Sequence, residues 1–277
     1  MCPRTRFGIE TISDIDPKAF KNLQLDTFKY IIAVGCLGDA LYYKHLNQFF
    51  LHAKSVNEDI EIHFSTNGIG RNEKWWRKLP LYLPEKHLVV FALDGVDNEI
   101  LNIYRVGSNY DRVIRNMRAF IDSGGNAEWQ FILFKHNEHQ VDEARDLAKE
   151  YGAVFALRAS YYYSEDKESG LRPTIGARTQ MEESMKTPGN ELCCRIEKHH
   201  EIFVDSFGRI MPCCLIPTNT SIAKKLTRGM IFNIHDYPIR RCISDHYING
   251  ILKLSKKSEY CIQRCRVPFE FSSLERT

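Results

Sequence analysis

The chain has 277 residues, a formal net charge of +3, 43% hydrophobic and 26% charged residues. That is an ordinary composition for a soluble globular protein, with room for one large domain and a small appendage. Its scattered basic residues do not form the concentrated face that nucleic acid needs. No apolar run approaches the roughly 20 residues that span a bilayer, and no apolar segment follows Met1 to Arg6 as in a secretory signal, so a cytoplasmic protein is expected.

In chain order, residues 28–34 are an apolar, β-branched run that stops at Gly35. A helix is expected next, with Leu41, His45, Leu46, Phe49, Phe50 and Ala53 on one face. Residues 60–64 read as a strand closing on Ser65-Thr66-Asn67-Gly68, and a helix around Trp75 and Trp76 leads to a strand at 87–93 that ends at Asp94-Gly95. Residues 110–121 are amphipathic and run into Ser123-Gly124-Gly125, a helix C-terminal signal. A strand at 129–134, a helix at 140–151 ending on Gly152 and a strand at 153–157 complete the alternation.

Strands alternating with helices of this length imply parallel βαβ units, whose ligands gather at the carboxyl ends of the strands. Those ends carry Gly35, Gly38 and Asp39; Ser65 to Gly68; Asp94 and Gly95; Lys135 to Asn137; and Arg158. Each set also suits an ordinary turn or cap, and Asn137 in particular could cap the helix that follows it. All five together favour a site. Residues 161–190 lose periodicity and read as a linker or a substrate-facing loop.

Seven of the nine cysteines lie after residue 190. In a reducing compartment, clustered cysteines read as metal ligands or catalytic thiols before disulfides. Cys194 is followed by thirteen residues, Gly208, four residues and Cys213, and the intervening sequence reads as a β-hairpin turning at Ser206-Phe207-Gly208. Cys261 and Cys265 form a second close pair. Four soft thiolates suit zinc or an iron–sulfur cluster, and the spacing does not choose. Cys193 and Cys214 adjoin proposed ligands and would point to the opposite side of a strand. Cys242 reads as a small buried apolar residue, and Cys36 has no partner at ligand spacing.

Taken together, these features resemble a radical SAM enzyme with a C-terminal SPASM- or twitch-type auxiliary cluster domain, over nearly the whole chain. Gly35-Cys36-Leu37-Gly38-Asp39-Ala40 is similar to the family's Gly-Gly-Glu-Pro turn, with Asp39 for the usual Glu and Ala40 for the usual Pro. The resemblance implies that this turn takes the methionyl amino group of S-adenosylmethionine (SAM). Ser65-Thr66-Asn67 is similar to the ending that lies near the ribose, and Asp94-Gly95 with Arg105 to a stretch that meets the cofactor carboxylate. Asn137 would approach the adenosine. The Cys194–Gly208–Cys213 spacing with a late close pair is similar to the twitch form, which implies one auxiliary 4Fe–4S cluster on Cys194, Cys213, Cys261 and Cys265.

The implied fold is α/β: a partial (β/α)6 TIM-like barrel over 1–160 that lacks its first strand, the connecting segment 161–190, and a small cysteine-rich α+β domain over 191–277. The implied activity is reductive cleavage of SAM to a 5′-deoxyadenosyl radical that abstracts hydrogen from a peptide, protein or small-molecule substrate. A flavodoxin or ferredoxin would donate the electron. The family's SAM-chelating cluster needs three cysteines in a C-x3-C-x2-C motif, and only Cys2 stands where the third would be. Either the sequence starts between the second and third cysteines of a longer protein, or it is a degenerate form that kept only the auxiliary cluster. In both cases this chain should cleave little SAM. The alternative from another class is a non-catalytic protein holding zinc or an iron–sulfur centre.

Overall fold

The computed structural model describes residues 13–33, 38–158, 170–174, 201–211, 232–242 and 273–276. Five parallel strands lie side by side in chain order: β1 (Tyr30–Ala33), β2 (Glu61–Thr66), β3 (His87–Ala92), β4 (Ala127–Ile132) and β5 (Val154–Arg158). This is an α/β fold with the parallel sheet of a partial TIM-like barrel. A sixth strand, Ser273–Arg276, adds antiparallel to β5. The sequence reading had placed this segment in the auxiliary domain, and its pairing puts it on the barrel sheet.

The crossovers are α1 (Leu46–Val56), α2 (Glu73–Tyr82), the pair α3 (Asn98–Tyr104) and α4 (Tyr110–Ile121), and α5 (Val141–Tyr151). Alternate strand residues face these helices. Ile62, Phe64 and Thr66 of β2 are buried, while Glu61, His63 and Ser65 point to the other, inner face. The same alternation sends Trp129 and Phe131 of β4 into the helix-side core. Helix residues Phe50, Trp76, Met117, Phe120 and Ala144 complete that core. Its aromatic contacts are edge-on or tilted, with Phe50–Phe64 at 5.8 Å and Trp76–Phe91 at 5.1 Å between ring centroids. The two fully buried indoles are both satisfied, Trp76 donating to the Gly70 carbonyl at 3.1 Å and Trp129 to that of Leu93 at 2.9 Å.

Where element boundaries differ from the sequence reading, a polar side chain is the cause. The expected helix from residue 41 begins instead as a 3-10 turn, Ala40–Tyr42, because the Asp39 carboxylate caps it through Leu41 N–H; α1 starts only at Leu46. The expected strand at 129–134 ends at Ile132, since the Asn137 side chain takes the Phe134 N–H at 2.7 Å. Two elements not expected from periodicity are the Asp16-capped 3-10 helix Pro17–Leu23 and the Asp97-capped α3. Both are too short to display a helical stripe.

The hairpin expected around Gly208 is present as β6 (Phe203–Val204) and β7 (Ile210–Met211), paired antiparallel. Its turn is built on Asp205, whose carboxylate accepts from the backbone N–H groups of Phe207 and Arg209 and pairs with the Arg209 guanidinium at 2.6 Å. Gly208 sits at φ +76, and a Cβ there would meet Asn233 and His235 at 2.8 Å. Ile210, Ile234 and Ile239 join the main core. The module also holds the N-terminal turns directly: His235 Nε2 accepts from Asp16 N–H at 3.2 Å, and Asn22 donates to the Ile234 carbonyl at 2.7 Å. Among the described residues, no helix is long and apolar enough to cross a membrane.

Gly68 is a position where both the backbone conformation and the core resist a side chain. It follows β2 with φ +70, and an added Cβ would lie 2.8 Å from Val113 and 2.9 Å from Phe91, both fully buried. Gly68→Ala combines a left-handed backbone penalty of about 1–2 kcal/mol with overpacking of about 1–3 kcal/mol. Urea unfolding should show a loss of at least about 2 kcal/mol. A loss under half of that would mean that the turn can move off the core.

Candidate active site

The carboxyl ends of β1 to β4 carry two polar clusters. In the first, the Asp39 carboxylate accepts from Leu41 N–H at 2.9 Å through one oxygen, and from Thr66 Oγ1 at 2.9 Å and Asn67 N–H at 2.6 Å through the other. Asp39 thereby fastens the turn after β1 to the turn after β2. Arg71 fastens the same two turns from the opposite direction, its guanidinium donating to the carbonyls of Leu41 at 3.1 Å and Tyr43 at 2.9 Å. Arg71 is held at φ +63, a conformation unusual for a residue with a Cβ. Thr66 also accepts from Gly68 N–H, and Asn67 closes an Asx turn on Ile69 N–H.

In the second cluster, Asp94 is fully buried at the end of β3. One of its oxygens lies 2.7 Å from Arg105 Nε, and the other accepts from Ile132 N–H at 2.7 Å. Asn137, also fully buried, donates to the carbonyls of Asp94 and Ile132, at 3.0 and 2.9 Å, and accepts from Phe134 N–H. Gln140 joins the next loop through Val96 N–H and Asp97. Burial pushes the Asp94 carboxyl above the usual carboxylate range, against the opposing pull of Arg105, Ile132 N–H and His136. Burial raises Asp39 as well, opposed by its hydrogen bonds and by the charge of Arg105.

Of the residues marked in the sequence, the structure thus brings Asp39, Thr66 and Asn67 together, and Asp94, Arg105 and Asn137 together. Gly38 leads into Asp39, half-buried. Ser65 is half-buried on the inner face, its hydroxyl without a hydrogen-bond partner among the described residues. Asn137 does not cap the helix that follows, because its amide is taken up by strand-end backbone. It shapes the rim from within the wall. Cys2, Gly35, Cys36, Cys194, Cys213, Cys261 and Cys265 lie outside the described residues, and among the described residues no group of His, Cys, Asp and Glu could hold a metal.

Three features have contacts that the sequence did not disclose. His136 stacks on Phe134 at 5.4 Å with both ring nitrogens buried and unpartnered among the described residues; burial holds its pKa low, against the charge of Asp94. Arg71 left no signal in the sequence, since a clamp through backbone carbonyls depends on three-dimensional proximity alone. The inner face of β4 and β5 carries Glu128, Gln130 and Arg158. The alternation Glu-Trp-Gln-Phe-Ile had signalled that last set, because a parallel strand apolar on both faces would lack it.

Residues 11–148 match the family model of the Radical SAM superfamily. They form a radical SAM domain. The fold is similar to that of anSMEcpe with bound AdoMet, at a TM-score of 0.52 and 16% identity over 92% of this chain and 80% of that one. It is also similar to Streptococcus suis SuiB, at a TM-score of 0.62 and 15% identity over 90% of this chain and 63% of SuiB. SuiB bound to its precursor peptide SuiA gives a TM-score of 0.58 at 14% identity, covering 91% of this chain and 64% of that one. The chain therefore spans somewhat less than two thirds of SuiB. No curated protein matches the sequence. At these identities the likeness to solved structures is one of fold.

Proposed function

We propose that this protein is a radical SAM enzyme that binds SAM across the carboxyl ends of β1 to β4 and carries one auxiliary 4Fe–4S cluster on Cys194, Cys213, Cys261 and Cys265. The supporting observation is the rim itself: Asp39, Thr66 and Asn67 fasten two turns together beside the Asp94–Arg105 pair, inside a domain of the superfamily. The residues present fit such a ligand. Ser65 offers a hydroxyl on the inner face, Arg105 meets Asp94 through Nε and would turn its other guanidinium nitrogens to a carboxylate, and His136 keeps two buried nitrogens without partners among the described residues. Bound to a reduced cluster, SAM supplies a 5′-deoxyadenosyl radical for hydrogen abstraction from substrate. The chain's own part is to position the cofactor and to exclude water. Solved neighbours have been captured with AdoMet and with peptides; here the substrate class extends to peptides, proteins and small molecules, with a flavodoxin- or ferredoxin-like electron donor in a cytoplasmic setting.

The test is SAM binding by the anaerobically reconstituted chain, measured by equilibrium dialysis. Asp39→Asn can keep the bond to Leu41 but then sets an NH2 group against Asn67 N–H, which loses its acceptor. A loss of about 1–3 kcal/mol, roughly fivefold to 150-fold in affinity, is expected. Absence of SAM binding by the unaltered chain would defeat the reading.

A further inference from the structure

The inner face of the sheet is apolar at most of its positions in β3 to β5, with Leu88, Val90, Ala92, Ile132, Val154 and Ala156 on it. Against that background stands a buried charge pair. Glu128, 2% exposed, meets Arg158 Nη2 at 3.2 Å. A pair of this kind contributes little net stability relative to apolar side chains of the same size. The register makes its geometry specific. Arg158 lies opposite Ile132 and Glu128 opposite Val154, so the arginine side chain runs back along the sheet past the level of Gln130 to reach its partner. Gln130 is half-buried, with Ala92 on one side and Ala156 on the other. Its carboxamide, and the Nε and Nη1 of Arg158, have no hydrogen-bond partner among the described residues.

We propose that Gln130 and Arg158 form a binding subsite on the inner face for a neutral amide group of the substrate, with Glu128 as the positioning residue that orients and neutralises the guanidinium. The donor and acceptor set argues for this class. Gln130 offers both a donor and an acceptor, as an amide requires, and Arg158 adds donors for a carbonyl oxygen. Because Glu128 balances the charge of Arg158, the subsite has little preference for an anion such as a carboxylate, which an unpaired arginine would select. The proposal rests on the radical SAM reading only in calling the ligand a substrate.

The experiment needs neither cluster nor SAM. The side-chain 1H–15N resonances of Gln130 and Arg158 in the full chain are followed during titration with N-acetylglycinamide, and separately with acetate. Saturable shifts of both signals are expected with the amide, and weaker ones with acetate at equal concentration. Gln130→Leu should weaken amide binding about fivefold. Glu128→Gln should reverse the preference, so that acetate binds better than the amide. Two results would overturn the proposal: no saturable shift with the amide, or acetate binding the unaltered chain at least as well. If Glu128→Gln does not fold, the Gln130→Leu titration decides alone. SAM binding that fails while amide binding persists would count against the proposed enzyme activity and leave this subsite standing.

Discussion

Arg105→Ala is expected to destabilise the fold by about 3–5 kcal/mol near neutral pH, because it strands a fully buried carboxylate without its counter-charge. The penalty should depend on pH in a direction set by Asp94. Burial raises the folded-state pKa of Asp94 above its unfolded value, and Arg105 is the largest opposing influence. A carboxyl shifted this way favours the folded state below its unfolded pKa, about 3.9. That contribution is lost as pH rises through the raised folded value. Removing Arg105 raises the folded value further, so the loss at neutral pH deepens while the two proteins converge in acid. Urea unfolding at about pH 4 and pH 7.5 measures both limbs. Asp94→Asn in the Arg105→Ala background should recover most of the lost stability and flatten its pH dependence. An Arg105→Ala penalty equal at the two pH values would show that the guanidinium acts through packing.

That cluster also shows how far the sequence could be read. The strands were visible as short apolar, β-branched runs that stop at glycine or polar residues, as at residues 28–34 and 87–93. The ends of the strands were visible as polar and glycine residues, so Asp39, Asn67 and Asp94 were marked in advance, while Arg105 was marked only by the family resemblance. Which side chains are committed to the protein was not visible. Asp39 resembles a ligand-facing acid in the sequence, yet three protein donors occupy its oxygens. Asn137 resembles a helix cap and is bound instead by the backbone of Asp94, Ile132 and Phe134. Such assignments depend on loops that meet only when the sheet forms, 43 residues apart for Asn137 and Asp94. Arg158 was legible as a strand end, but its link to Glu128 follows from the β4–β5 register, which a list of apolar positions does not fix.

The largest effect is expected at the cysteines. Anaerobic reconstitution with iron and sulfide should load about four iron atoms per chain, the content of one 4Fe–4S cluster. Cys261→Ser with Cys265→Ser should abolish that iron and its visible absorption. Two thiolates cannot hold a cubane that needs four ligands, and a serine hydroxyl is a poor substitute for thiolate on iron. The hairpin would support the other half of the proposed tetrad. Asp205 and Gly208 fix its turn, and Cys213 follows two residues after Met211 of β7. Since Ile210 and Ile234 are anchored in the main core and His235 holds Asp16, losing the cluster should leave the barrel folded, with far-ultraviolet circular dichroism nearly unchanged. Cys36→Ser and Cys242→Ser should retain the full iron content, and Cys2→Ser should also leave this cluster in place. A colourless chain that binds one zinc and no iron would replace the iron–sulfur reading with a structural metal site. Iron that survives the loss of both Cys261 and Cys265 would move the ligand set to Cys193, Cys214 or Cys36, and the twitch-like assignment would fall with it.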